Sequence, residues 1–482
     1  MTIRRGAWTV ARSVWLLAML TLLGGCASNE SYRKTRVVDS TCPGTSATEH
    51  CAGDVRHRIG QETDGAFITY IEFDDQGSLH DRELSNEALR ALRDRASQRP
   101  TLIVAFAHGW KHNASHRSGN VREFQRLLAG LQRSQSNWQV EGVYIGWRGL
   151  SARWEPAKLL SFWKRKSAGA RVGTDGAIDL IAELSAIRAA SVNGDGPGHL
   201  LIVAGHSFGG AVVFNATQHL LRRELVQAQE CVASTDPDAE PMIRMIPFAD
   251  TRVQSPRPAG FLEARTCGHL SASVADFVVI VNPAFENTRY DPLEARSRQT
   301  GFAAGQPPIL AVFMSKGDGA TKYAFPVGRL ISTLTNSYVD TAQAARDRRA
   351  VGHLRDKWTH ELVLTDAASL NHSLRNLRAS DASVELAGMI ERAPPGGWVD
   401  FLCDRNADWT LDAVSLKRSA QNPAADPFSP YMVVSVQKGI ISNHSDIWGD
   451  AFTAFVQRLV RARLQARHGA VCSNQPKGDG GD

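Results

Sequence analysis

Short apolar runs alternate along this chain with longer stretches in which apolar residues recur at helical spacing. The apolar runs predict β-strands over residues 66–73, 101–107, 140–147, 200–203, 276–281, 308–314 and 431–436. The helical spacing predicts α-helices over residues 85–96, 121–132, 174–190, 211–225 and 446–465, the first with Ser85 as its N-cap. Because strands alternate with helices, we expect an α/β fold with a mostly parallel, doubly wound sheet.

Some segments are too long to be simple connections between these elements. They lie near residues 148–173, 226–272 and 319–430. We therefore predict one domain over residues 65–470 with these segments as cap or lid insertions, followed by a disordered tail at 471–482.

The first residues have the pattern of a targeting segment. Three arginines, at positions 4, 5 and 12, precede an apolar run over residues 14–23 that is too short to span a bilayer. Leu23-Gly24-Gly25-Cys26 resembles the lipobox of bacterial lipoproteins. This resemblance implies a signal peptide over residues 1–25, lipidation of Cys26 and anchoring in the bacterial envelope. The residues after Cys26 favour the outer membrane, on its periplasmic side. A plain signal peptide with a chance cysteine and an uncleaved anchor are the alternatives.

Polar residues follow the lipobox, and we predict a flexible tether over residues 26–64. Removing the leader, which holds three arginines and no acidic residue, reduces the net charge from +6 to 6 − 3 = +3. No long basic run with interleaved aromatic residues is present, so we expect no nucleic-acid partner.

The composition is that of an ordinary globular protein, with 43% hydrophobic and 22% charged residues. Besides Cys26, six cysteines remain, and an oxidising compartment permits disulfides among them. Spacing favours the pairs Cys42–Cys51 and Cys231–Cys267, which leaves Cys403 with Cys472, although the sequence leaves the connectivity open.

The chemistry centres on Gly205-His206-Ser207-Phe208-Gly209, a G-x-S-x-G pattern between a buried strand and a helix. That context is typical of a nucleophile elbow, in which glycines let backbones pass and the turn exposes the serine hydroxyl. The alternative is a tight turn that serves packing alone.

With the following Gly210, this stretch resembles the nucleophile elbow of the α/β-hydrolase superfamily, in its lipase and esterase branch. The resemblance covers about residues 102–455. It implies the α/β-hydrolase fold and a catalytic triad in the chain order serine, acid, histidine. It also implies an oxyanion hole made by the backbone N–H of Phe208 and a second N–H from His108-Gly109-Trp110. We favour Trp110 for the second donor, with Gly109 as the alternative.

The acid is expected in the loop after a later strand, and Asp318 lies in Ser315-Lys316-Gly317-Asp318-Gly319. Glu286 is the alternative acid, whereas Asp276 begins its strand and so lies at the wrong edge of the sheet. The base is expected after the last strand, where His444 lies. His360 and His372 are the next candidates, and we expect the His206 ring to point away from the reaction.

An aromatic cluster (Trp147, Trp154, Phe162 and Trp163) is followed by the basic run Lys164-Arg165-Lys166. It predicts either an acyl-binding or membrane-facing lid, or a cap helix that simply packs on the core. The sequence shows no metal-binding, dinucleotide-binding or P-loop motif, so no cofactor is expected.

These patterns predict a serine hydrolase that cleaves a small-molecule or lipid acyl ester through an acyl-enzyme. Ser207 would attack, His444 would transfer the proton and Asp318 would orient His444. An acyltransferase with the same triad, and a non-catalytic lipoprotein with a hydrolase-like scaffold, are the alternatives. Neither the acyl length nor the choice between ester and amide can be read from the sequence.

Overall fold

The computed structural model describes residues 30–34, 60–135, 137–150, 155–190, 198–234, 274–333, 335–365, 378–393, 396–465 and 472. These residues form a mixed α/β structure in which parallel strand pairs predominate. The chain divides into two compact units. The first unit comprises Met1–Ala216 and Val279–Phe285, and the second comprises Thr217–Val278 and Glu286–Asp482.

The first unit contains a group of adjacent strands in the order β1-β2-β4-β3-β5. These are β1 (Gly60–Thr63), β2 (Ala66–Phe73), β3 (Thr101–Ala107), β4 (Gln139–Trp147) and β5 (Leu200–His206). β1 is antiparallel to β2, while β2, β4, β3 and β5 are parallel to their neighbours. All of β3 and nearly all of β5 are buried, as expected of strands covered on both faces. The loops that follow the parallel strands therefore meet at one edge, the carboxyl edge.

The helices of the first unit connect these strands. They are α1 (Arg82–Ala96), α2 (Gly119–Ser134), α3 (Glu155–Thr174), α4 (Gly176–Ala189) and the start of α5 (Phe208–Ser234). The start predicted for α1 was wrong: its N-cap is Asp81, whose carboxylate accepts from the Leu84 N–H at 2.9 Å. The Ser85 hydroxyl instead donates to the Asp81 carbonyl at 2.6 Å, within the first turn.

A sixth strand, β6 (Phe277–Val281), is divided between the units after Val278. The second unit contains β7 (Leu310–Ser315), β8 (His360–Leu364), β9 (Trp409–Leu411), β10 (Val414–Arg418) and β11 (Tyr431–Val436), in the order β7-β11-β8-β10-β9. Strand β11 lies between β7 and β8 and is parallel to both. The helices of the second unit are α6 (Asn287–Arg298), α7 (Phe325–Ser332), α8 (Thr341–Asp347), α9 (Ala379–Arg392), α10 (Trp398–Cys403) and α11 (Asp450–Gln465). A π-helical turn, Ala320–Ala324, precedes α7, and a 3₁₀ turn, Arg355–Lys357, precedes β8.

The long segment 319–430 differs from the predicted cap. It contributes β8, which pairs directly with β11, and β10 and β9, which add antiparallel strands beyond it. Leu362, Val414 and Leu416 of these strands are buried. The segment therefore extends the group of strands in the second unit, because its apolar side chains are buried when it pairs with strand neighbours.

The other predicted insertions are described only in part. Much of 148–173 is helix α3, and 226–234 continues helix α5. The predicted signal peptide, Cys26 and most of the predicted tether lie outside the described residues. Within that tether, residues 60–63 form β1, and residues 30–34 are bound to the first unit by hydrogen bonds. These two stretches are therefore ordered parts of the fold and not free linker.

One of the predicted disulfides is present in the described residues. It joins Cys403, at the end of α10, to Cys472, with 5.5 Å between the α-carbons. Residue 472, placed by prediction in a disordered tail, is thus covalently held at α10. Cys42, Cys51 and Cys267, and the side chain of Cys231, lie outside what the structure describes.

Candidate active site

Ser207 lies in a sharp turn between strand β5 and helix α5. Its φ angle is +56°, in the left-handed region that non-glycine residues rarely adopt and that costs on the order of 1–3 kcal/mol. The loop after β6 holds this conformation, because the Ser207 N–H donates to the Val281 carbonyl at 3.1 Å. The Ala284 N–H also donates to the Ser207 carbonyl at 3.1 Å. The turn is therefore fixed from outside, as a nucleophile elbow requires.

The two flanking glycines are required by close backbone approach. A Cβ at Gly205 would lie 2.4 Å from the Gly209 carbonyl oxygen, and a Cβ at Gly209 would lie 2.1 Å from the Ala107 carbonyl oxygen. No side chain fits at such distances, so both positions of the G-x-S-x-G pattern require glycine for steric reasons.

The predicted oxyanion loop runs alongside the serine. A Cβ placed on Gly109 would lie 2.9 Å from the Ser207 Cβ and 2.9 Å from His206 Nδ1. Phe208 begins α5, where the N–H groups of the first turn have no acceptor within the helix and carry the positive end of its dipole. The structure thus brings Gly109 and Phe208 beside Ser207. His206 is buried, and its ring lies against Gly109.

His108 supports this loop in a way that sequence reasoning missed. Its Nε2 accepts from the Trp147 N–H at 3.1 Å, so its Nδ1–H donates to the Gly109 carbonyl at 2.9 Å. The ring stacks on the Trp147 indole, with 5.5 Å between centroids. Burial lowers the pKa of His108 to about 3, so the ring is neutral at physiological pH. The neutral His108 ring therefore bridges the Trp147 N–H and the Gly109 carbonyl, and it fixes the orientation of the peptide group after Gly109.

Three aromatic rings line the same edge. The Phe162 ring lies 4.7 Å from that of Phe208 and 5.2 Å from that of Trp110, measured between centroids. This aromatic wall joins the residue after the nucleophile to a candidate oxyanion donor. Of the aromatic cluster predicted from sequence, Phe162 belongs to this wall, whereas Trp147 packs in the core. Trp154 and the side chain of Trp163 are outside the described part of the chain.

The basic residues after Phe162 have different roles. The Arg165 guanidinium binds the Asp75 carboxylate in bidentate fashion at 2.5 and 2.7 Å. Lys166 is buried, and Lys164 is exposed. These residues therefore do not form a single solvated basic face.

In the second unit, the structure brings Asp318 and His444 together. Asp318 Oδ2 lies 2.8 Å from His444 Nδ1, although the two residues are 126 positions apart in sequence. Asp318 follows β7 and His444 follows β11, the parallel strand beside it. The two loops touch: a Cβ at Gly317 would lie 2.2 Å from the Ser442 carbonyl oxygen. Adjacent parallel strands thus place the carboxylate and the imidazole at one edge.

Thr321 and His353 extend this pair, and neither was a candidate in the sequence. The Thr321 hydroxyl donates to Asp318 Oδ2 at 2.6 Å, and the Thr321 N–H donates to Oδ1 at 3.0 Å. Because that hydroxyl gives its proton to Asp318, it accepts from the Nε2–H of His353, 2.7 Å away. The result is a hydrogen-bonded chain from His353 through Thr321 and Asp318 to His444.

The electrostatics of this chain follow from burial and hydrogen bonding. Burial alone raises the pKa of Asp318, but hydrogen bonds from His444 and Thr321 outweigh it and hold the pKa below its ordinary value. Burial lowers the pKa of His353 to about 4, against the opposing attraction of Asp318. At neutral pH, the carboxylate is therefore charged and His353 is neutral.

The alternative site residues have other roles in the structure. The buried carboxylate of Glu286 pairs with Arg329 at 2.9 Å and with Arg289 at 3.0 Å. His360 is buried and hydrogen-bonds to Thr359 and Arg418. Asp276 is buried at the start of β6. His372 lies outside the described residues. The alternative acid Glu286 and the alternative base His360 are thus each engaged with arginine side chains.

Comparisons with protein-family models, with curated proteins and with solved structures find no match to this chain. Within the described residues, no group of three or more histidine, cysteine or acidic side chains is placed to hold a metal ion. None of the helices in those residues has the length and apolarity needed to cross a bilayer.

Proposed function

We propose that this chain is a serine hydrolase that cleaves carboxylic esters or related acyl compounds. The observation that carries the proposal is the 2.8 Å hydrogen bond between Asp318 and His444. It engages Nδ1 of the imidazole and leaves Nε2 as the nitrogen that can take a proton. A buried carboxylate held in this way stabilises the imidazolium that forms during catalysis. The strained, glycine-flanked turn at Ser207 supports the assignment of the nucleophile.

The proposed reaction has two stages. Ser207 Oγ attacks the ester carbonyl carbon while its proton passes to His444 Nε2, and the N–H groups of Phe208 and Trp110 or Gly109 bind the oxyanion. The carbon–oxygen bond to the leaving alcohol breaks, and that alcohol takes the proton from His444. Water then attacks the acyl-enzyme with His444 as base, which releases the acid and restores the serine. Asp318 keeps its negative charge throughout and holds the imidazole in the required tautomer.

The test is labelling by a fluorophosphonate probe, which phosphonylates an activated serine. Wild type is expected to be labelled, with the label mapped to Ser207 by mass spectrometry. Ser207→Ala is expected to abolish labelling, whereas Ser97→Ala, at an exposed serine of the same unit, is a matched control that keeps it. His444→Ala should slow ester turnover by about 10⁶-fold. Undiminished labelling of Ser207→Ala would remove this serine from the mechanism.

The alternatives give different results in the same preparation. An acyltransferase would label at Ser207 but transfer its acyl group to an added alcohol or glycan in preference to water, which product analysis detects. A non-catalytic scaffold would show neither labelling nor turnover across short and long acyl esters.

We also propose that Cys26 carries a lipid anchor that places the protein at the outer membrane, facing the periplasm. The polar residues after the lipobox support lipidation. Ala27 and Ser28, which follow the cysteine where an aspartate would signal retention, support the outer membrane by resemblance to the sorting rule of bacterial lipoproteins. Metabolic incorporation of an alkyne fatty acid into wild type, but not into Cys26→Ser, tests it. Equal incorporation into both would contradict it.

A further inference from the structure

A short N-terminal segment is bound to the carboxyl edge of the first unit. We call residues 30–34 the N-terminal clamp. The Glu72 carboxylate accepts from the Ser31 hydroxyl at 2.8 Å, from the Tyr32 N–H at 2.9 Å and from the Arg33 N–H at 2.8 Å. Several donors thus converge on one carboxylate, so this segment is a component of the fold.

Arg33 anchors the clamp in the interior. Only 2% of this residue is exposed, and its guanidinium lies 3.6 Å from the centre of the Tyr70 ring. Its Nε–H donates to the Ala114 carbonyl at 2.9 Å, and the Asn113 amide donates to the Tyr32 hydroxyl at 3.2 Å. The Nε–H bond and the contact with the Tyr70 ring hold the buried guanidinium in one place, and so they fix the register of the segment.

The clamp lies on the edge that carries the candidate nucleophile. Glu72 pairs with Gly146 in the neighbouring strand. One position earlier, Ile145 pairs with Ala107, which in turn pairs with Gly205, two residues before Ser207. Three strand spacings amount to about 14 Å. Asn113 and Ala114, which bind the clamp, belong to the same loop as Gly109 and Trp110. The clamp therefore holds the oxyanion loop as well as the edge.

The distance from the clamp to Cys26 is short. Glu30 lies four positions after Cys26, and even a fully extended chain over those four steps spans only about 14 Å. A lipid on Cys26 would then keep Glu30, the first residue of the clamp, within about 14 Å of the headgroups. Lys111 and Arg117 are exposed on the loop that binds the clamp, and residues 108–118 contain no acidic residue. Such a loop is attracted to an anionic membrane surface.

We propose that the clamp sets the carboxyl edge of the first unit against the membrane, so that Ser207 acts on an ester lipid resident in that membrane. The inference rests on the proposed function and on lipidation of Cys26. The partly exposed rings of Trp110 and Phe162, which pack with the buried Phe208 ring, provide an apolar surface near Ser207 for the acyl chain.

The experiment uses the lipidated full chain in vesicles of phosphatidylethanolamine and phosphatidylglycerol. It compares a fluorogenic ester lipid in the same vesicles with a water-soluble short-chain ester. The test variant carries a Gly-Ser linker of about 12 residues between Ala27 and Ser28, which adds about 20 Å of mean reach. The control carries the same linker after Asp482. The longer tether lets the carboxyl edge move through a larger volume, which lowers its effective concentration at the membrane surface. Turnover of the vesicle lipid is therefore expected to fall on the order of 5-fold in the test variant only. Turnover of the soluble ester and labelling of Ser207 are expected to stay unchanged.

Equal turnover of the vesicle lipid by both insertion variants would overturn the inference. So would a wild type that cleaves the soluble ester but not the vesicle lipid, a result that leaves the proposed function standing. If the wild type cleaves neither the vesicle lipid nor the soluble ester and is not labelled by the probe, the proposed function is refuted.

Hydrogen exchange tests the clamp independently of activity. The Tyr32 and Arg33 amides should exchange at least 10-fold more slowly in wild type than in Glu72→Ala. Equal exchange in the two proteins would show that the clamp does not hold and would overturn the inference.

Discussion

Replacing His353 by glutamine should flatten the dependence of stability on pH. The wild-type ring is half-buried and hydrogen-bonded to Thr321, and removal from water lowers its pKa to about 4 from the ordinary 6.5. Between pH 4 and pH 6.5, His353 is therefore protonated in the unfolded chain but neutral in the folded protein. The stability contributed by neutral His353 is therefore fully present above about pH 6.5 and is lost as the pH falls toward 4.

The size of the effect follows from the two pKa values. At pH 5 the unfolded imidazole is protonated and the folded one is not, and a gap of about 1.5 pH units corresponds to about 2 kcal/mol. At pH 7 the same difference is only a few tenths of a kcal/mol. Glutamine does not titrate and can still donate to Thr321. The loss of unfolding free energy between pH 7 and pH 5 should therefore be about 2 kcal/mol smaller in His353→Gln than in wild type.

The assay is urea unfolding at both pH values, followed by circular dichroism, with an NMR titration of the imidazole in parallel. His219→Gln is the matched control, since His219 is exposed. It should leave the pH dependence unchanged within error. An identical pH dependence in wild type and His353→Gln would refute the reasoning, as would a His353 ring that titrates near pH 6.5 in the folded protein.

Further substitutions test the site. Gly209→Ala should abolish probe labelling, because its Cβ would lie 2.1 Å from a backbone oxygen, whereas Gly301→Ala meets nothing within 4 Å and should be silent in the same gel assay. Asp318→Asn should lower kcat by about 10⁴-fold while substrate binding is kept, and an unchanged kcat would exclude Asp318 from the triad. Glu286→Gln should instead lower the melting temperature, since it weakens a buried pairing with arginine, and leave kcat within about 3-fold. Phe162→Ala should lower kcat/KM for aromatic and long acyl esters by about 10-fold more than for acetate esters, and a uniform loss would argue against the aromatic wall as an acyl site.

The sequence predicted those elements whose signal is local. Strands 66–73, 101–107 and 431–436 have the predicted bounds because each is a buried run bordered by polar or turn residues. The N-cap of α1 was misplaced because Asp81 and Ser85 are both good capping residues, and the contacts of the folded helix decide between them. Strand β8 was missed because both of its partners, β10 and β11, lie far away in the sequence.

The candidate site shows the same division. Chain order and strand ends were enough to place Asp318 and His444 on neighbouring loops, since adjacent parallel strands end at one edge. Thr321 and His353 could not be found in this way, because a threonine in a helical turn and a histidine in a loop have no pattern of their own. The N-terminal clamp was missed for a related reason. Its polar residues have the composition of a linker, and only the folded structure shows that their N–H groups donate to Glu72.

The left-handed backbone at Ser207 also has a consequence for handling the protein. Glycine adopts that conformation without penalty, so Ser207→Gly relieves the turn at the position where it removes the hydroxyl. The inactive variant should then be more heat-resistant than its parent by about 1 kcal/mol of unfolding free energy. Under the proposed function, such a protein would hold an intact ester in the site, because it has no hydroxyl with which to attack the carbonyl carbon.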